Sequence, residues 1–534
     1  MAQRLTPRTA GSALSPLRVC VLVSAALFGL RVYLAQRVAF GDAEALYLSY
    51  ALFPQPGYLD HPGLVGFVGQ ILGNGAVPTP YTVHLLSALL ATLVPWIGGW
   101  AAWRAGAESS GALRTVLCLA LVPELSIGLF GLTPDLLLAC FWLAALGFGA
   151  KVLAPNSTAG TLSYLGLGAC LAMALLSKVS GGLLALVVAA CVLQSPVQRR
   201  RVGPYLGAAL ALLLVYPWVY WEWSQGAPML THRLSSTQGA AGLSLRNVGA
   251  LLGGQLLYVT PPFLLGAWTV ARSLWRSRTA DPVSALLWRA CVVPGALLGA
   301  LCLWSRVAEP HWIAPMYLSL AVQLGRLPPL AARLQRIALS VGAIAVAFAL
   351  FWVGTDYPPR LLGKHYHPRY DLTNDLYAWG PGKRLLTDVV QRTLLDAQRL
   401  PVVVGPHWTV CAQAQLAVGQ SVRVGCNTPI PDDFDRWLPR EKWRSAPVVL
   451  YVHDSRFDVV PSEALPGRVE RSRSKVDVLR GGRVVRTLWV TRLDLSDGLA
   501  AQGAAGASRL NPASRISASS VLSPGLGVVS NVSP

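Results

Sequence analysis

Two short stretches near the start of the chain hold side chains suited to acid–base chemistry. Gly41-Asp42-Ala43-Glu44-Ala45-Leu46-Tyr47 carries two carboxylates, and Tyr58-Leu59-Asp60-His61-Pro62 adds a third and an imidazole. Asp and Glu account for only 25 of 534 residues, so this local cluster stands out. If the first stretch is extended, Asp42 and Glu44 point to one side. They would then be close enough to share a metal ion or to keep one acid part-protonated. A carboxylate there can act as a general base, with Asp42 the first choice and Glu44 the reserve. Asp60 and His61 can ligate a divalent metal or help to hold a phosphate. Each group also has a structural reading: acids cap helix starts, and Asp60-His61-Pro62 suits a turn with Pro62 opening a short helix.

Further candidates follow. Asp135 in Leu132-Thr133-Pro134-Asp135 is a helix cap or a site carboxylate, and His84 is a packed histidine or a ligand. Lys178 in Leu176-Ser177-Lys178-Val179-Ser180-Gly181 snorkels to an interface or contacts a lipid phosphate. His232-Arg233, Arg306, Glu309 and His311 are placed to extend an anionic pocket.

These residues must be carried by membrane helices. Hydrophobic residues make up 53% of the chain and charged residues 13%, with mean hydropathy +0.47; soluble domains carry about 25% charge. Apolar runs long enough to span a bilayer fall near 17–38, 82–103, 113–131, 135–153, 161–177, 179–196, 203–222, 248–270, 285–304, 311–325 and 337–354, about eleven helices. The first run reads as a retained anchor, since it lacks a small-x-small cleavage site. The 18 Trp suit an interfacial belt.

The net charge of +20 does not indicate a nucleic-acid partner. If the spans alternate, Arg104, Arg114, Lys151, Arg199, Arg200, Arg201, Arg289 and Arg326 share one face with few acids. Asp42, Glu44, Asp60, Glu124, Asp135, Glu222 and Glu309 share the other. Basic loops stay cytoplasmic. The expected topology is a multi-pass protein of the cytoplasmic (inner) membrane, N-terminus inside and acidic loops outside, including an outer loop at 39–81.

Residues 355–495 change character and are expected to form a small extracytoplasmic α/β domain. Strands are expected at Pro401–Gly405 and Ala446–Val452, and a helix at Asp388–Leu400. A hairpin is expected around Arg480-Gly481-Gly482-Arg483. Cys411 and Cys426 lie in this part and are a candidate disulfide; seven other Cys read as packing residues. The stretch 496–534, rich in Ala, Gly, Ser and Pro, reads as a disordered tail.

The pieces Asp42-Ala43-Glu44-Ala45-Leu46-Tyr47, Tyr58-Leu59-Asp60-His61-Pro62, Leu132-Thr133-Pro134-Asp135, Leu176-Ser177-Lys178 and Pro310-His311-Trp312-Ile313-Ala314-Pro315 together resemble a known family. It is the GT-C glycosyltransferases of the dolichyl-phosphate-mannose protein mannosyltransferase and bacterial aminoarabinose transferase type. The chain departs from the family pattern at three points. Ala43 separates the usual adjacent Asp-Glu, His61 stands in an acid-Lys-Pro motif, and His84 stands where many relatives have Arg. The resemblance implies a GT-C-like transmembrane domain over 1–354. It also implies inverting transfer of a sugar from a polyprenyl-phosphate donor to a hydroxyl on an envelope glycolipid, glycan or protein.

In that reading Asp42 or Glu44 is the base, and His61, Lys178 and Arg233 grip the donor phosphate. Asp60 and His232 are the pair for a divalent metal ion, and no nucleotide cofactor is expected. Two other classes fit part of the pattern: a transporter or flippase of lipid-linked glycans, and a non-catalytic envelope-assembly protein. A translocation path would place ionisable groups partway through several spans, whereas here they gather at helix ends.

Overall fold

The computed structural model describes residues 15–128, 130–155, 157–236, 241–305 and 309–496. The expected tail, apart from Ser496, and Arg306 lie outside the described residues. Each apolar run meets a helix. In chain order these and their neighbours are α1 (Pro16–Ala35), α2 (Asp42–Ser49), α3 (Leu64–Gly73), α4 (Pro80–Arg104), α5 (Ser109–Leu121), α6 (Pro134–Leu153), α7 (Thr161–Ser177) and α8 (Gly181–Gln194). They continue as α9 (Gly203–Ser224), α10 (Leu245–Tyr258), α11 (Pro261–Ser277), α12 (Pro282–Trp304), α13 (Ala314–Arg326) and α14 (Ala332–Gly354).

Among the described residues six helices, α1, α4, α6, α9, α12 and α14, are long and apolar enough to cross a membrane. The pair α10 and α11 makes a seventh if counted as one bent span. The apolar run expected near 248–270 is broken into two helices, α10 and α11, which meet at 99°. Thr260 sits at φ 71° and Pro261 and Pro262 follow it. Proline lacks the N–H that would continue the ladder and clashes with the preceding turn. The remaining apolar helices are short: α5, α7 and α8 have 13, 17 and 14 residues.

Small residues let the inner helices approach. A Cβ on Gly98 of α4 would stand 2.2 Å from Leu119 of α5, and one on Gly147 of α6 would stand 2.2 Å from the Trp100 ring. In the same core the Trp142 indole donates to Ser319 Oγ at 3.2 Å, joining α6 to α13 without leaving the N–H unpaired.

Beyond residue 354 the chain forms a five-stranded sheet of order β2-β1-β3-β5-β4. Its strands are β1 (Val402–Gly405), β2 (Val424–Cys426), β3 (Val448–Asp454), β4 (Arg468–Arg480) and β5 (Arg483–Leu495). β1 runs parallel to β2 and β3, while β5 is antiparallel to β3 and β4. The expected hairpin is present, its turn built on Gly481 and Gly482 at φ 61° and 80°, a backbone that glycine adopts without strain. The helix expected at 388–400 is α15 (Asp375–Ala397), which starts earlier; α16 (Trp408–Val418) and β2 had no strong signal. Cys411 of α16 and Cys426 of β2 are disulfide-bonded, with Cα atoms 6.0 Å apart.

This domain grips the loops at one end of the helical bundle. Gln413 Nε2 donates to the Phe40 carbonyl at 2.8 Å and Gln420 Nε2 to the Leu52 carbonyl at 2.6 Å. The Leu59 N–H donates to both oxygens of Asp433, at 3.2 and 3.1 Å.

Candidate functional site

The Asp60 loop is shaped by aromatic and glycine contacts. Tyr50 and Tyr58 stack with ring centroids 3.7 Å apart, and the Tyr58 hydroxyl donates to the Tyr50 carbonyl at 2.9 Å. Trp437 of the C-terminal domain closes over Phe53 at 4.4 Å. A side chain on Gly63 would meet the Gln55 carbonyl at 2.5 Å, so the turn closes only with glycine there. Asp60 is left at the tip, where Arg233 reaches its carboxylate at 3.0 Å and its backbone carbonyl at 2.7 Å.

A second carboxylate–cation pair comes from two helix ends. Thr133 takes the cap of α6, its hydroxyl accepting from the Leu136 N–H at 3.3 Å. Asp135 is therefore free of capping, and both its oxygens accept from Lys178 Nζ, at 2.7 and 2.9 Å. Lys178 sits in the break between α7 and α8. There a Cβ on Gly181 would lie 2.3 Å from the Ala174 carbonyl, which makes this close turn specific for glycine.

His311, in the turn Pro310–Ile313, stands 4.0 Å from Asp135 and 3.2 Å from Glu309. The Trp312 ring lies 5.6 Å from Lys178 Nζ and 6.0 Å from the Arg233 guanidinium. An aromatic face flanked by two cations at a membrane end can seat the apolar neck and charged head of a lipid phosphate. Trp312 belongs to the stretch Pro310-His311-Trp312-Ile313-Ala314-Pro315, but its place between the cations comes from the fold.

The expectation that Asp42 and Glu44 point to one side is corrected by their contacts. The stretch is helical from Asp42, not extended, so residues two apart turn about 200° from one another. Asp42 faces the C-terminal domain: its oxygens accept from Arg456 at 2.5 Å and Gln413 at 3.1 Å. Arg456 also pairs with Asp375 at 3.3 Å and Asp454 at 2.7 Å. Glu44 turns into the helices, accepting from the Leu132 N–H at 2.9 Å and meeting His84 Nε2 at 2.8 Å. Both acids are buried, as is His84.

His61 is buried too, its Nε2 3.4 Å from the Tyr47 hydroxyl. Burial first, then the charges of Arg233 and Lys178, push its pKa well below the usual histidine value. It is therefore neutral at physiological pH and offers a hydrogen bond rather than a positive charge. His232 is also shifted down by burial, against the pull of Asp60.

Among the described residues no group of three or more His, Cys, Asp or Glu is disposed to hold a metal ion. Asp60 and His232 supply two donors, and the Arg233 guanidinium already occupies one side of Asp60. The side chains present therefore fit a divalent ion poorly.

The spatial arrangement is thus a helical bundle with a cation- and carboxylate-lined end roofed by a small α/β domain. A family model described as dolichyl-phosphate-mannose-protein mannosyltransferase matches residues 70–221. No curated protein matches the chain. Among solved structures, ArnT from Cupriavidus metallidurans bound to undecaprenyl phosphate is similar over 89% of this chain and 97% of that one, at 17% identity and TM-score 0.57. The arabinofuranosyltransferase AftD from Mycobacteria is similar over 90% of this chain and 42% of that one, at 16% identity and TM-score 0.50. These likenesses carry the fold. The chain thus shares the fold of these membrane glycosyltransferases, and its residues 70–221 match the mannosyltransferase family model.

Proposed function

We propose that the chain moves a sugar from a polyprenyl-phosphate donor to a hydroxyl of an envelope glycolipid, glycan or protein, with inversion, on the outer face of the cytoplasmic membrane. The observation that carries this reading is the pairing of Asp135 with Lys178 and of Asp60 with Arg233 around Trp312. Lys178 and Arg233 neutralise the phosphate as it departs; charge stabilisation of this kind is worth about 10²–10³ in rate per donor. Asp135 fixes the Lys178 ammonium, and His311 with Glu309 closes the far side. An apolar cleft between α5, α11, α13 and α14, bordered by Val122, Leu125, Val259 and Tyr317, offers the polyprenyl chain a route beside the site.

Asp60 is the carboxylate we assign as base. It is about a third exposed and holds Arg233 through one oxygen, whereas both oxygens of Asp42 and of Glu44 are engaged. Asp42 then acts at a distance, by locking the C-terminal domain that presents the Asp60 loop. A divalent ion on Asp60 and His232 is the competing assignment for that carboxylate.

The test is mass spectrometry of envelope glycolipids and glycoproteins from a deletion strain and its parent. Loss of one sugar substituent, restored by the wild-type gene but not by Asp60→Asn, supports transfer. Unchanged glycans with accumulation of a lipid-linked precursor on the inner leaflet would point to a flippase instead.

A further inference from the structure

We propose a second anion site, one that takes a phosphate group, at the end of the bundle opposite the candidate active site. It is a polar cleft between residues 157–161 and the start of α9, lined by Ser157, Thr158, Thr161, Tyr164 and Arg201.

The cleft is rigidly built. The Tyr164 hydroxyl donates to Gln198 Oε1 at 2.9 Å, and Gln198 Nε2 donates to the Val152 carbonyl at 2.7 Å. Both side chains are only 3% exposed. A Cβ on Gly203 would fall 2.3 Å from the Tyr164 ring, and one on Gly168 would fall 2.0 Å from the Gly207 carbonyl. Glycines thus clamp α7 against α9 beneath the cleft. Arg201 is held over it by neutral acceptors: both terminal nitrogens donate to the Ser157 carbonyl at 3.3 Å, and one to the Tyr164 hydroxyl at 3.3 Å.

Its charge is not neutralised by the protein. Among the described residues, Arg201, Arg199, Arg200 and Lys151 make no ion pair with a carboxylate, whereas Arg326 at the same end pairs with Asp281 at 3.2 Å. Lys151 adjoins the cleft, since its carbonyl accepts from Ser157 Oγ at 2.8 Å. A guanidinium fork beside hydroxyls, with further cations around it, is matched by phosphate oxygens.

The position narrows the source. The cleft sits at the first turn of α7, and Lys178 follows its last residue. Seventeen helical residues place the two about 25 Å apart, close to the roughly 30 Å of a bilayer's hydrocarbon core. The two cation sites therefore lie at the levels of opposite headgroup layers. A phospholipid phosphate and inorganic phosphate share the chemistry the cleft reads.

The test uses the purified full-length protein in detergent and native mass spectrometry, with phosphatidylglycerol, diacylglycerol and inorganic phosphate as separate probes. A Lys178→Met background removes the contribution of the other end. Saturable phosphatidylglycerol binding is expected, with none for diacylglycerol. Arg201→Gln should abolish it, and Arg199→Gln with Arg200→Gln should weaken it by roughly ten-fold. The paired substitutions are at exposed side chains, so they carry the test if Arg201→Gln fails to fold. Displacement by millimolar inorganic phosphate would assign the site to free phosphate, and resistance to it would assign a lipid headgroup. Equal retention of diacylglycerol, or unchanged binding in the folded variants, overturns the proposal.

Discussion

Arg233 holds Asp60 at two points, its carboxylate at 3.0 Å and its backbone carbonyl at 2.7 Å. One cation thereby sets both the loop and the acid it carries. Replacing Arg233 should therefore disturb donor binding and base placement together. Arg233→Lys keeps the charge but loses the fork, and it should recover donor binding better than turnover. Separate measurements of KM and kcat check this; equal recovery of both would mean that charge alone matters.

The two early carboxylates should behave differently from Asp60. Asp60→Asn is expected to lower transfer by about 10²–10⁴-fold without changing the amount of folded protein. Asp42→Asn leaves Arg456 among fewer acids and should lower thermal stability and yield along with activity. Purified, monodisperse Asp42→Asn with normal stability and no transfer would return the base role to Asp42.

Interface stability should depend on pH through buried acids of the C-terminal domain. Burial first, then the Asp42 charge, raises Asp375 to about 7; burial first, then Asp435, raises Asp432 to about 7. Asp433 is also raised, by burial and then Asp60. In the unfolded chain these groups titrate near 3.9. Between roughly pH 4 and pH 7 the unfolded state loses protons that the folded state keeps, so their contribution to stability falls as pH rises. Melting curves in detergent should show Tm dropping from about pH 5 to about pH 8, and Asp375→Asn should flatten that slope. A slope that is unchanged in the variant would exclude this group as its source.

A metal requirement is testable without knowing the acceptor. Because Asp60 and His232 offer two donors beside an arginine, transfer should survive extensive chelation, and His232→Gln should retain most activity. Chelator-sensitive turnover restored by one divalent ion would restore the metal assignment.

Much of the fold was legible because it rests on local patterns. Apolar runs marked the helices and Gly481-Gly482 marked the hairpin, whereas the 99° bend at Pro261-Pro262 falls inside one continuous apolar run. At the site, Lys178, Asp135, Asp60, Arg233, His311 and Glu309 were all legible as polar groups at helix ends. Their pairings were not, since these depend on which ends meet. Asp42 and Glu44 were misplaced because a helical rather than extended start sends them to different neighbours. Arg456, the partner of Asp42, lies 414 residues away in sequence, and no local signal links the two.

The proposed activity depends most on Lys178 and Arg233 gripping a prenyl phosphate. Equilibrium binding of undecaprenyl phosphate to purified protein tests this directly, comparing wild type, Lys178→Met, Arg233→Met and Arg289→Gln at the opposite end. The expected result is a loss of about 30-fold or more for each of the first two substitutions and none for Arg289→Gln. Wild-type affinity in both Lys178→Met and Arg233→Met would contradict it.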